Sequence, residues 1–267
     1  ISDNLDSTEP AAIDLSHHRV KVSVNLKMIS YSSDFAASFN SEISLIKNEI
    51  RAEPLLIKIN HTPLNCKLML NPGYSDGYPF EAKAEMKNLD LSPFFKAFTK
   101  GKLAESKGKI DSLLIDARGK GFSPANMQNR MKALVKSEIS GIQIVNDIDE
   151  SYVFQLILLP VEVFAEMKAF LPENSYSDEI ADSIAKTRKS LRNIKFSKGS
   201  INIAADRKIY VKECMFQGDL IRKLSLKGCA GFNGNLFLTS VLDISTIEMP
   251  MDINGTFRNP EPDIKKM

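Results

Sequence analysis

Any chemistry this chain performs has to start from a small set of reactive side chains. Its three histidines are His17, His18 and His61. His17 and His18 are adjacent at the entry to an extended segment, where neighbouring side chains point to opposite faces and cannot ligate one ion. His61 stands in His61-Thr-Pro63, a turn sequence. All three are read as surface or turn residues. Gly73-Tyr-Ser75-Asp-Gly77 has the Gly-x-Ser-x-Gly form of a nucleophile elbow. An elbow needs a strand before the serine, a helix after it and a histidine further along the chain. Tyr78-Pro79 and another strand pattern follow instead, and no histidine lies beyond His61. The segment is read as a glycine-rich loop.

Other reactive groups are equally unsupported. No His-Glu-x-x-His helix and no Gly-x-x-x-x-Gly-Lys-Ser/Thr phosphate loop occurs. Asp147, Asp149 and Glu150 lie close enough for a calcium loop, but the glycine at its bend and the later bidentate glutamate are missing. Cys66, Cys214 and Cys229 make an odd count without a Cys-x-x-Cys pair, which disfavours zinc and a disulfide framework. Cys214 and Cys229 fall where neighbouring strands could bring them together. Without tryptophan, the large aromatic platforms of sugar sites are lacking. The expectation is a non-enzymatic protein with no catalytic residue, metal or cofactor.

The elements that would position a site carry more information. The chain has 267 residues, of which 43% are hydrophobic and 25% charged, enough for a sizeable core and ordinary for a folded protein. A net charge of +2 gives no electrostatic case for nucleic acid. No window supplies the ~20 apolar residues of a membrane-spanning helix. A start at Ile1, with no signal-like segment after it, suggests an excised or processed piece of a longer parent.

Residues 1–19 read as a loose N-terminal segment. From Val20, apolar Val20, Val22, Val24, Leu26 and Met28 alternate with Lys21, Ser23, Asn25 and Lys27, the period-two signature of a strand with one apolar face. Phe35 to Leu45, Leu55 to Ile59, Leu64 to Leu70 and Phe80 to Met86 repeat it, joined by short turns. That is an antiparallel meander. Ser92-Pro93 opens a short helix to Phe98, capped by Ser92. A strand follows over Lys109 to Arg118, then a helix from Pro124 with Met127, Met131, Leu134 and Val135 on one face, then a strand from Ile139 to Val145. Residues 20–150 thus form a β-rich unit with short helices. Residues 151–193 read as helical, with one run from Pro160 to Leu171 and a second capped by Ser177. Strand pattern resumes over 194–267, and 20–260 is taken as one continuous domain. The expected class is mainly β with a few helices (α+β): antiparallel, strongly twisted sheets curling into a groove or open barrel, with helices capping or covering one side.

The C-terminal arm carries a resemblance. Gly199-Ser-Ile-Asn-Ile-Ala, Phe216-Gln-Gly218, Leu224-Ser-Leu-Lys-Gly228 and Gly231-Phe-Asn-Gly234 lead to Met249-Pro-Met-Asp-Ile-Asn-Gly-Thr-Phe-Arg-Asn-Pro-Glu-Pro262. This grammar resembles the C-terminal region of the AsmA family, and Leu89-Asp-Leu-Ser-Pro-Phe-Phe-Lys-Ala-Phe98 is similar to that family's internal segments. The resemblance covers about two thirds of the chain and rests on strands and turns. It implies a periplasmic or cell-envelope protein whose parent is anchored in the inner membrane. It further implies twisted sheets that form an apolar groove binding or conducting phospholipid, in support of outer-membrane biogenesis.

The groove candidates are taken from one face of the alternating strands: Val22, Val24, Leu26, Phe35, Phe39, Leu236, Leu238, Leu242 and Ile244. Lys186, Arg188, Lys189 and Arg192 are the candidates for lipid headgroups. The expected partners are phospholipid or another apolar ligand and membrane or envelope proteins, with no nucleic acid. The alternative is a self-packed envelope scaffold or assembly factor that binds partner proteins through its sheet edges.

Overall fold

A computed structural model describes residues 12–32, 35–98, 104–122, 124–145, 193–219, 221–232, 234–244, 247–256 and 259–264. Alternation in the sequence becomes thirteen strands: β1 (Arg19–Ser32), β2 (Phe35–Ile46), β3 (Glu49–Ile59), β4 (Thr62–Leu70), β5 (Tyr78–Asp90), β6 (Lys107–Gly121), β7 (Lys132–Val145), β8 (Asn193–Asp206), β9 (Ile209–Gly218), β10 (Ile221–Ala230), β11 (Leu236–Ile244), β12 (Ile247–Thr256) and β13 (Asn259–Ile264). They lie in one antiparallel sheet in chain order, each strand bonded to its neighbours in sequence. The sheet is mainly the whole described fold, and it does not close: β1 and β13 are its two edges.

Local chemistry makes the turns. Lys47-Asn48 between β2 and β3, and Asn60-His61 between β3 and β4, hold φ of 51° and 65°, and of 45° and 72°. Two consecutive positive φ values match the right-handed twist of a hairpin, and asparagine tolerates them. The Asn60 carboxamide oxygen also accepts the Ala36 N–H at 2.8 Å, tying the turn to β2. Within strands, Asn88 and Gly141 hold φ of 59° and 57°. These single left-handed residues reset the alternation. As a result Met86 and Leu89, three apart, are both buried, as are Ile139 and Ile142.

Among the described residues two short helices interrupt the meander, α1 (Ser92–Phe98) and α2 (Pro124–Asn129). In α1 the first carbonyl to receive helical bonds is that of Leu91, from Phe94 and Phe95 N–H at 3.0 and 3.1 Å. The capping carboxylate is Asp90, which accepts the Ser92 N–H and hydroxyl at 2.9 and 2.7 Å. Ser92 is therefore not the cap that the Ser-Pro pair suggests. The expected second helix is also corrected. It stops at Asn129, and Leu134 and Val135 belong to β7. Flanking strands β6 and β8 offer that segment ladders on both sides, which outweighs a weak helical stripe. The helices expected between residues 151 and 192 lie outside the described residues.

The core sits on one face of the C-terminal half. Ile139 and Ile142 of β7, Ile194 and Phe196 of β8, Ile221 and Leu224 of β10 and Leu242 of β11 form one buried cluster. Leu91, at the entry to α1, packs against it with Ile110, Ile144, Ile201 and Phe216.

Candidate apolar ligand-binding face

Directly opposed residues in an antiparallel pair point to the same side of a sheet. Following partners from strand to strand therefore shows what one face is made of. One row runs Val24, Ser41, Leu55, Cys66, Ala84, Ile115, Val135, Ile203, Val211, Gly228, Leu238, Ile253. The adjacent row runs Leu26, Phe39, Ile57, Leu64, Met86, Leu113, Ser137, Ile201, Cys214, Leu226, Ser240, Met251. Both cross the sheet from β1 to β12. A single-residue bulge in β9, between Val211 and Cys214, falls between the two rows and keeps them in phase. Serine supplies the only oxygen-bearing side chains in either row.

Residues one step along each strand make the opposite face, and it is charged. Lys21 meets Glu42 at 2.9 Å, Lys83 meets Asp116 at 3.7 Å, Lys132 meets Asp206 at 3.6 Å and Arg222 meets Asp243 at 2.9 Å. Lys67 pairs with Glu53 and Lys120 with Asp76. Hydrogen bonding from those two lysines holds the Glu53 and Asp76 carboxyls below their ordinary range. Such exposed pairs stabilise little, but they mark this side as the one built for water.

Burial along the apolar face is uneven. Leu236, Leu242, Met251 and Ile253 have no exposed area, and Ala230 and Leu224 have 1%. At the other end, Val20, Val22, Leu26 and Ile29 of β1 are 46–54% exposed, and Leu68 of β4 is 45% exposed. The candidates from sequence divide accordingly. Val22 and Leu26 are open to solvent, Val24 and Phe39 are half-buried, and Leu236 and Leu242 are fully buried. Leu238 is half-buried in the first row. Phe35 and Ile244 begin β2 and end β11, and their side chains lie outside the described residues, as do Lys186, Arg188, Lys189 and Arg192. Alternation alone did not nominate the middle of the rows, such as Ile57, Leu113 and Ile201. The signal for them was present in each strand, but only pairing shows that they continue the same face.

Three serines on this face have buried hydroxyls without a hydrogen-bond partner: Ser41, Ser137 and Ser240, at 0%, 5% and 1% exposure. Cys214 lies in the second row, and burial pushes its thiol up to about 11. Cys229 stands opposite Tyr210 and Phe237 on the other face. The two cysteines thus sit on opposite sides of the sheet, and all three cysteines are free.

The reactive groups singled out in the sequence lie apart among the described residues. The Gly73–Gly77 loop leads into β5 without a helix, His17 and His18 precede β1, and His61 is a turn residue. Among the described residues no cluster of His, Cys, Asp or Glu could hold a metal ion, and no helix is long and apolar enough to cross a membrane. No protein-family model, curated protein or solved structure matches the chain.

Proposed function

We propose that the apolar face binds or conducts phospholipid, or a similar long apolar chain, as part of a non-enzymatic protein of the bacterial cell envelope that supports outer-membrane biogenesis. The observation that carries this reading is the pair of rows that cross the sheet without a charged side chain. Eleven strand spacings of about 4.8 Å give each row a length of about 50 Å. A core needs no such continuity, whereas an acyl chain moving across the strands does. Exposure at the β1 end gives such a chain a place to enter, since contiguous apolar surface of this kind is uncommon on a protein that meets only water. Helix α1 contacts both β2 and β6. A seven-residue helix is about 10 Å long, so those contacts favour a sheet curled around the apolar side as a groove. The strand-and-turn resemblance to the AsmA family points the same way.

The test is photocrosslinking of purified protein incubated with phospholipid vesicles. A photoreactive residue at Val22 or Leu26 should label lipid, and one at Ser23 or Asn25, on the opposite face, should not. Equal labelling of both faces, together with lipid-free protein by native mass spectrometry, would sink the proposal. The self-packed scaffold has its own supporting observation in the fully buried Leu236, Leu242, Met251 and Ile253. It predicts that no position on the apolar face labels lipid.

A further inference from the structure

The two edges of the sheet are built differently, and the phase of the hydrogen-bond ladder shows how. Near the C-terminal edge, Gly231 N–H donates to Asn235 C=O at 2.8 Å, which turns the backbone of Asn235 toward β10. Alternation then turns Leu238 toward β12, its partner Ile253 toward β11, and the even-numbered residues of β12 the other way. One strand further, Pro260, Pro262 and Ile264 point their backbone away from the sheet. Pro250, beyond the reach of β13, points the same way. Proline has no N–H, so the positions that would donate to an added strand are largely silent.

Among the described residues, the opposite edge carries no such block. Asn60 N–H donates to Ala36 C=O at 2.9 Å, turning Ala36 toward β3 and Ala37 and Phe39 toward β1. Leu26, the partner of Phe39, therefore faces β2, and Arg19, Lys21, Ser23 and Asn25 turn N–H and C=O outward. β1 contains no proline. The side chains of those residues share the charged face, where Lys21 has Glu42 as its partner.

We infer that the β1 edge accepts an extended strand from a partner polypeptide in which apolar residues alternate with acidic ones. The unused N–H and C=O groups would form the ladder. The partner's apolar residues would continue the rows beyond Val22 and Leu26, and its carboxylates would meet Arg19 on the charged side. A second copy does not supply such a strand: β1 presents Arg19, Lys21, Ser23 and Asn25, with no carboxylate among them, and β13 presents prolines. The inference rests on the edge and not on lipid binding.

The experiment uses labelled peptides alternating valine with glutamate, or valine with lysine, read by fluorescence anisotropy, with hydrogen exchange of the β1 amides. The glutamate peptide should bind at least about tenfold more tightly than the lysine peptide and slow exchange at Lys21, Ser23 and Asn25. Ser23→Pro, which removes one outward donor, should weaken binding by about tenfold. The double variant R19E/K21E leaves the ladder intact and should reverse the preference. Equal binding of the two peptides, an unchanged preference in R19E/K21E, or self-association of the protein through β1 overturns the inference. Lipid labelling at Val22 is read separately, so either proposal can fail without the other.

Discussion

The ring of Phe216 covers Gly199 on the neighbouring strand so closely that a Cβ added to Gly199 would stand 2.5 Å from its edge. Phe216 also meets Phe196 at 5.4 Å between ring centroids, tilted by 50°. Glycine is therefore required here for the space above it, not for its backbone freedom. Gly199→Ala should cost about 1–3 kcal/mol, the range for overpacking a fitted site. Urea unfolding would show it as a lower midpoint with an unchanged slope. An unaltered midpoint would mean that the ring moves aside freely.

The cysteines should separate by face. Cys214 lies in an apolar row with its thiol pushed up to about 11, and burial raises the Cys66 thiol as well. Since the thiolate is the reactive form, maleimide at about pH 8 should modify Cys229 first and Cys214 only after unfolding. Mass spectrometry of the labelled peptides checks this order. A Cys214–Cys229 disulfide under mild oxidation would contradict the assignment of faces.

Ser240 tests the character of the apolar face. Its hydroxyl is buried without a partner between Leu238 and Leu242. A buried unpaired hydroxyl costs free energy, so Ser240→Ala should be neutral or raise stability by about 1 kcal/mol. Calorimetry on the lipid-free protein is the suitable measurement. A clear loss of stability would reveal a hydrogen bond to that oxygen.

Acid should weaken the charged face. Lys120 lowers Asp76 and Lys67 lowers Glu53, while hydrogen bonds from Ser16, with a further one from Asn48, lower Asp14. A carboxyl with a lowered folded-state pKa contributes stability above its ordinary range and loses it as pH falls through the lowered value. Denaturation midpoints should stay level from about pH 8 to 5 and fall below about pH 4. Asp76→Asn should flatten part of that fall, and added salt should reduce it. An identical acid profile in Asp76→Asn would remove Asp76 from the account.

How much of this was legible follows from the range of each signal. Val20 to Lys27 announced a one-sided strand because alternation is local, and His61-Thr-Pro63 announced a turn at His61 for the same reason. The meander needed only those two facts. Leu134 and Val135 were misread because a short helical stripe continued from Met127 and Met131 also fits a strand, and the choice was made by β6 and β8. The last two strands were not separated in the sequence, since Pro250, Pro260 and Pro262 argue against central strands. They are tolerated because each stands where no donor is needed. The candidate face was legible strand by strand, but its continuity was not. That depended on the bulge in β9, whose position no alternation pattern records.

The strict sequence-neighbour order of the sheet has a consequence for how such a chain can change length. Because each described strand bonds only to the strands before and after it in chain order, excising a hairpin removes two adjacent strands and leaves the flanking ones antiparallel and able to rejoin. Taking out one strand would instead oblige its neighbours to run the same way and demand a crossover. The apolar path can therefore be lengthened or shortened in steps of about 10 Å, two strands at a time, without redesigning either end.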